Sequence, residues 1–379
     1  MRFAMPFRAL AGLLTAACLL AAAPALRAQD ASLEETLNQL SGDAASAYLS
    51  PISSAFGSNL NSGWFHRAPK AVKLGFNLEA GLITMGSFFP TDANHFAVNG
   101  TFRFSQDEAN VLLDYYEDEQ NVDIDLVPGL RTALVNQITA QSSTVGISGA
   151  TVVGASTDSV TIAYQGQTFT VGGQDYAIPA QDIVLPFGGF GDLADIPVMP
   201  LAAPQLTFGT IYGTQFTLRY LPAMEVNADL GDFKYMGFGI QHNPALWLKK
   251  KLPVDVAASF FTQSMEVGTL FKCKTTAFGV NASKTWGWRF LNLTPYAGYM
   301  LEDATMEVAY DFIVDVPVAV DTDGVPDGQM VEPISLDLAS ENSSRLTAGL
   351  NVRLGIVNVN VDYSMAKYSA FSAGINLAF

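Results

Sequence analysis

The chain has 379 residues, 36 of them acidic and 20 basic, for a net charge of −16. So acidic a balance excludes nucleic acid as a partner, because phosphate binding needs a basic surface. Hydrophobic residues make up 49%, yet past residue 28 no apolar run reaches the ~18 residues of a spanning helix, which excludes a helical membrane protein.

Residues 1–28 read as a secretory signal peptide. Arg2 and Arg8 form the basic start, ALAGLLTAACLLAAA the apolar stretch, and small residues lead to a cut after Ala28. Removing three basic residues leaves 17 against 36 acidic ones, a net charge of −19. Cys273 is then the only cysteine, so neither an internal disulfide nor a cysteine metal site is available.

Residues 29–68 form an N-terminal helix and a plug-like segment. Leu33, Leu37, Leu40, Ala44 and Tyr48 repeat at helical spacing over 31–49, with Ser32 and Glu35 as a capping box. The Gly-, Ser- and Asn-rich stretch that follows predicts irregular backbone. It carries Phe56, Trp64 and Phe65, which a bare linker would not need, so this segment is expected to pack as a plug.

Alternation then begins. Residues 70–84 and 95–104 each have one apolar face and one mixed face, and 69–104 is expected to be the first barrel hairpin. Residues 105–203 break the rhythm with eight acidic residues between Phe104 and Leu130, a helix near 129–140 and a hairpin at Gln165-Gly166. So long a stretch is expected to be an inserted periplasmic or lumenal subdomain. From 204 to 379 the main strands follow: 204–220, 232–246, 252–264, 270–285, 289–303, 344–355, 357–366 and 369–379. Between Glu302 and Ser344 lie eleven acidic residues and no basic one, expected as a long outer loop.

Ten strands with weak alternation, a secretory start and abundant aromatics predict an all-β protein. Its fold is an antiparallel transmembrane β-barrel in a Gram-negative outer membrane, with twelve or fourteen strands left open. Counting back from Phe379 puts the 247–252, 285–289 and 357 turns in the periplasm and 222–231 and 304–343 outside. The same count puts 105–203 on the periplasmic side. In the last strand Phe371, Ile375, Leu377 and Phe379 share an apolar face, the expected insertion signal for the barrel assembly machinery.

The strings AFGSNLNSGWFHRAPK and PLAAPQLTFGTIYGTQFTLRYLP, followed by a last strand ending in Phe, resemble an uncharacterised family of predicted outer-membrane β-barrels. There is a looser likeness to long-chain fatty-acid and hydrophobic-compound transporters, which also place a plug before a barrel. The resemblance implies a fold and no reaction.

Lumen-facing charges are the first candidate site: Lys73, Glu79, Arg103, Arg219, Asp255, Arg353 and Asp362. In a narrow barrel such charges pair into a structural network or line a solute path. Asp321, Asp323 and Asp327, with Gly324 and Gly328, offer oxygen ligands for calcium, but the run lacks the closing Glu of a calcium loop. His66, His95 and His242 are the only imidazoles and none lies near a nucleophile motif, so the chain reads as no enzyme. No cofactor is implied. The expected role is passive transport or binding of a small hydrophobic solute, the alternative a structural or surface-interaction protein. The expected partners are outer-membrane lipid, the assembly machinery and that solute.

Overall fold

The computed structural model describes residues 33–185, 188–189, 198–227, 231–249, 252–288, 290–315 and 329–379. The signal peptide reading and the Asp321, Asp323, Asp327 loop lie outside them. The described chain opens with α1 (Leu33–Leu60) and β1 (Leu78–Phe88). There follow β2 (His95–Phe102), α2 (Gln106–Gln120), α3 (Leu130–Ala140), β3 (Ser143–Ala150), β4 (Thr161–Tyr164), β5 (Gln167–Val171), β6 (Gln174–Ile178) and β7 (Gln181–Val184). Next come β8 (Val198–Ile211), β9 (Thr214–Asn227), β10 (Gly231–His242), β11 (Asp255–Val267), β12 (Phe271–Ser283) and β13 (Trp286–Trp288). The last are β14 (Leu291–Asp315), β15 (Gln329–Ala339), β16 (Ser344–Leu354), β17 (Val357–Met365) and β18 (Ala370–Ala378).

The chain divides into two compact units, one of residues 50–91 and 196–379 and the other of 1–49 and 92–195. The first is a closed antiparallel barrel of ten strands in the order β1, β8, β9, β10, β11, β12, β14, β16, β17, β18. The ring closes where β18 pairs with β1, Glu79 opposite Ala378 and Ser87 opposite Ala370. Closure leaves no strand edge unpaired, the condition for a sheet to sit in hydrocarbon. Along β17 and β18 burial alternates residue by residue. The exposed side is the apolar one: Val361, Ile375, Leu377, Phe278 and Phe260 point out. Asn358, Asn360, Asp362, Ser372 and Asn376 point in and are buried. Apolar out and polar in is the reverse of a soluble barrel and is the pattern of a lipid-facing wall.

The mouth near Phe379, here the proximal mouth, carries the turns at 212–213, 243–254, 284–290 and 355–356. The distal mouth carries the turns at 268–270, 340–343 and 366–369, the end of β1 and the start of β8. From Thr305 opposite Ala339 to Asp315 opposite Gln329, β14 pairs with β15, and beyond Val308, where its pairing with β12 ends, the two strands run on past the wall. Part of the acidic stretch 304–343 is therefore strand rather than loop.

The count of ten agrees with the sequence reading, through two differences that cancel. Residues 204–220 are two strands, split by the turn at Tyr212 and Gly213, both with positive φ. And β2 is not in the barrel, so 69–104 is not a barrel hairpin: β2 pairs with β3 in a separate sheet of order β2-β3-β4-β7. Alternation could not separate the two cases, because a half-buried strand of a soluble sheet has the same period. The excursion thus runs from Phe88 to Val198 and leaves and rejoins the wall at the distal mouth. Phe88 and Val198, the strand ends that flank it, lie at the end of the wall opposite Phe379.

The second unit is compact in its own right. Ser105 caps α2 in a capping box with Glu108. Leu113, Leu134, Ile138, Phe169 and Ile178 form its core. The helix expected near 129–140 is α3. The hairpin expected at Gln165-Gly166 does not form: β4 pairs with β3 and β7, and β5 with β6.

Candidate functional site

The lumen is occupied by the chain's own residues 50–70. Helix α1 does not stop near residue 49 but continues through Pro51 to Leu60. Composition predicts irregular backbone here; the small Ser, Gly and Ala side chains instead let a helix fit inside a narrow ring. Anchors follow one another from mouth to mouth. At the distal mouth Ser87 Oγ donates to Ala55 O at 2.9 Å, Ser58 Oγ to Tyr368 O at 2.7 Å and Asn59 Nδ2 to Met199 O at 2.7 Å. At the proximal mouth Ala68 N donates to Ser283 Oγ at 2.9 Å and Asn243 Nδ2 to Pro69 O at 2.7 Å.

Between them sits an aromatic cluster. Trp64 stacks on Phe261 with ring centres 5.0 Å apart, and Phe65 meets Tyr296 edge-on at 5.9 Å. Two wall glycines make the room. A Cβ on Gly237 would lie 2.8 Å from Trp64 Cη2, and one on Gly298 2.6 Å from Phe65 Cζ. Phe56 lies 6.1 Å from Phe271, ring centre to ring centre. All are plug-to-wall packing: the Trp64 and Phe65 cluster fills the middle of the barrel, and the Phe56–Phe271 contact lies at its distal end.

The buried charges tie the same segment. Arg345 donates Nε to Glu302 Oε2 at 2.7 Å and Nη2 to Oε1 at 3.2 Å, and both side chains are 1% exposed. Its Nη1 reaches Ser62 Oγ at 2.6 Å and its Nη2 reaches Ser58 O at 2.9 Å. Arg219 donates to Gln205 Oε1 and Ser62 O, both at 2.9 Å, and its guanidinium lies 4.1 Å from the Trp64 ring centre. Glu79 is held by His66 Nε2 at 2.9 Å and by Arg67. Asp362 accepts from Tyr296 at 2.9 Å and Ser372 at 2.7 Å.

Below the plug a polar vestibule of about 240 Å³ opens at the proximal mouth, lined by Arg67, Lys70, Asp255, Asn351, Arg353 and Asn358 among others. One inward row crosses four strands here: Asn292 faces Arg353, Arg353 faces Asn358, and Asn358 faces Asn376. Asn358 is fully buried and neither of its amide atoms has a protein partner among the described residues; the same holds for Asn351 Oδ1. Arg353 donates Nε to Gly355 O at 2.8 Å. These groups are set to bind a polar solute or ordered water.

This geometry can be set beside known proteins. A family profile matches residues 8–379. The chain belongs to that family, DUF6588, a family of unknown function. A comparison with curated proteins gave no match. Among solved structures the chain is similar to a bacterial polysaccharide outer-membrane secretin, at 6% identity and a TM-score of 0.23, over 81% of this chain and 99% of that one. It is also similar to a loop L8 deletion mutant of OmpT, an outer-membrane protein of Vibrio cholerae, at 8% identity and a TM-score of 0.20, over 82% and 100%. At such TM-scores the likeness carries no weight, and the fold stands on its own hydrogen-bonded ladders.

In this DUF6588 member the candidate charges separate. Glu79, Arg219 and Asp362 are buried in the lumen, while Asp255 and Arg353 are half-buried at the vestibule. Lys73 is not in the lumen: it precedes β1 and is exposed. Arg103 is not in the barrel at all, because it follows β2 in the other unit. Sequence reasoning missed Arg345 and Glu302. Two-residue spacing back from Arg353 would have found Arg345; Glu302 was hidden because the acidic run around it read as loop. Phe371, Ile375, Leu377 and Phe379 are exposed on the outer wall.

In the second unit Glu117, Asp123 and Asp125 bring ligand atoms within 4.8 Å of one another. Arg131 already supplies the cation, donating to Asp125 at 2.8 Å, Asp114 at 2.7 Å and Glu117 at 2.5 Å. Asp125 and Asp114 push its pKa above the ordinary arginine value.

Proposed function

We propose that the protein is an outer-membrane β-barrel sealed by its own N-terminal segment, with the proximal vestibule as a binding site for a small polar solute bearing a carboxylate or phosphate. One observation carries this reading: the row Asn292–Arg353–Asn358, in which a cation adjoins a buried amide with both atoms unpartnered. The polar lining supports a polar solute ahead of the hydrophobic one, since the wall rings Phe261 and Tyr296 are covered by the plug. Calorimetric titration of the purified barrel with succinate and inorganic phosphate tests it. Saturable binding lost in Arg353→Gln supports the site; equal binding by both proteins removes it.

A second reading keeps the hydrophobic solute. It draws on the Trp64, Phe65, Phe261 and Tyr296 cluster, whose wall half would become an apolar path if the plug withdrew. Flux of a fluorescent fatty acid into proteoliposomes, absent from protein-free vesicles, is its test. If neither binding nor flux is found, the barrel is left as a membrane anchor for the 92–195 unit. Neither reading involves catalysis; His66 pairs with Glu79, and His242 contacts Thr214 at 3.0 Å and Trp247 at 3.4 Å. The assembly machinery is proposed to recognise β18, and deleting Phe379 should lower membrane yield.

A further inference from the structure

The ladder shifts register between Gly209 and Ile211 beside the β8–β9 turn, and twice between β9 and β10, once at Gly231 beside the turn and once further into the wall. Between β9 and β10 Phe233 faces Met224 and Tyr235 faces Leu221, so Pro222 and Ala223 together oppose Lys234. Pro222 has no N–H to give, and a bulge bends the wall and re-aims the side chains beside it. Next to it a groove of about 660 Å³ opens on β9–β12. Thr262, Ser264 and Thr276 are small outward residues and form its floor; Tyr220, Met236 and Phe238 are exposed and form its sides.

A charged row borders the groove toward the distal mouth. Lys234 faces Glu266, Glu266 faces Lys272 and Lys272 faces Glu307 on four successive strands, all pointing outward. Lys272 Nζ lies 2.6 Å from Glu266, so that acid is engaged. Lys234 and Lys274, both exposed, flank the pair and line the groove. Asp303 and Glu307 sit on β14, one strand beyond the lining residues. Two rows toward the proximal mouth from Lys274, the outer wall is apolar: Ile240 faces Phe260, Phe260 faces Phe278 and Phe278 faces Leu301.

We propose that this groove holds one anionic membrane phospholipid. Its acyl chain lies over Thr262, Ser264 and Thr276, and its phosphate sits between Lys234 and Lys274 at the polar border. Charge complementarity chooses the occupant: two lysines above an apolar trough on a lipid-facing wall match a molecule with a phosphate at one end and hydrocarbon at the other. A wall that merely touches lipid would show no preference among headgroups.

The test is retention of lipid by the full-length protein. It is reconstituted in phosphatidylcholine vesicles with or without phosphatidylglycerol, extracted in mild detergent and weighed by native mass spectrometry. The wild type should keep one phosphatidylglycerol per barrel and no phosphatidylcholine. Lys234→Gln and Lys274→Gln should each weaken retention roughly fivefold, while Lys284→Gln, at the other mouth, should not. Ser264→Phe should expel the lipid with both lysines intact. Thermal stabilisation of the wild type by phosphatidylglycerol over phosphatidylcholine gives a readout that needs no variant to fold. Equal retention of the two lipids, or undiminished retention in either lysine variant or in Ser264→Phe, would overturn the assignment.

Discussion

Arg345 shows what a single side chain does inside this barrel. It neutralises Glu302 and at the same time holds Ser58 and Ser62 of the plug. Removing one partner of a buried pair leaves the other charge uncompensated, at a cost of about 3–5 kcal/mol. Arg345→Gln should therefore lower the temperature at which the heat-modifiable band is lost, and Glu302→Gln added to it should recover part of the loss. Glu341 makes a pH-dependent contact at the distal turn. Burial raises its pKa, but Lys367, Ser50 and Tyr368 more than offset this, so the net direction is downward. A depressed carboxylate contributes stability that is full above the unfolded value of about 4.3 and is lost as pH falls through the lower folded value. Melting of the wild type should weaken through that acid window, and Glu341→Gln should show less of this dependence.

At the scale of elements, glycine on the wall and aromatic on the plug are matched pieces. Gly298→Val would push branched carbons into Phe65 and should destabilise by about 1–3 kcal/mol, with altered tryptophan fluorescence if Trp64 shifts with its neighbour. The wall's two faces also answer differently from what alternation alone suggests. Phe278→Lys puts a cation on the lipid face and should cost about 2–4 kcal/mol near mid-wall. A lysine at 281 would be the cheaper change if the lumen were open. Yet Asn281 is buried and accepts from Ser259 at 2.8 Å and Gln241 at 3.2 Å, so Asn281→Lys should be at least as damaging. Refolding yields of the two variants give the order. The period of two was legible for the wall strands β10–β12 and β16–β18, where each strand has to present one face to lipid. It misassigned β2, whose apolar side chains serve a soluble sheet, and it ran β8 and β9 together because Tyr212 and Gly213 turn the chain without a polar run to mark them.

For the whole molecule, plug and barrel share one set of contacts, so neither is complete alone. The plug was legible from three aromatics that a linker does not need. Its length and helical form were not, because Ser, Gly and Asn read as irregular until a surrounding wall supplies partners. Deleting residues 29–66 should give a barrel that inserts, leaks small ions in planar bilayers and melts lower than the wild type, since Arg219, Arg345 and Glu79 lose partners together. A deletion as tight and as stable as the wild type would mean that the lumen closes by some other means.

The closing strand pair adds a constraint of sequence in time. The chain enters the ring at Ser50, leaves it at Pro69 and only then becomes β1, which pairs with β18 to shut the ring. A thread that passes through a loop made of its own continuation cannot be slipped in sideways once the loop is shut. The last seam must therefore form around a segment already in place, and the wall is wound on its own leader. A peptide of residues 33–66 should then seal the truncated barrel far better when present during refolding than when added to rings already closed.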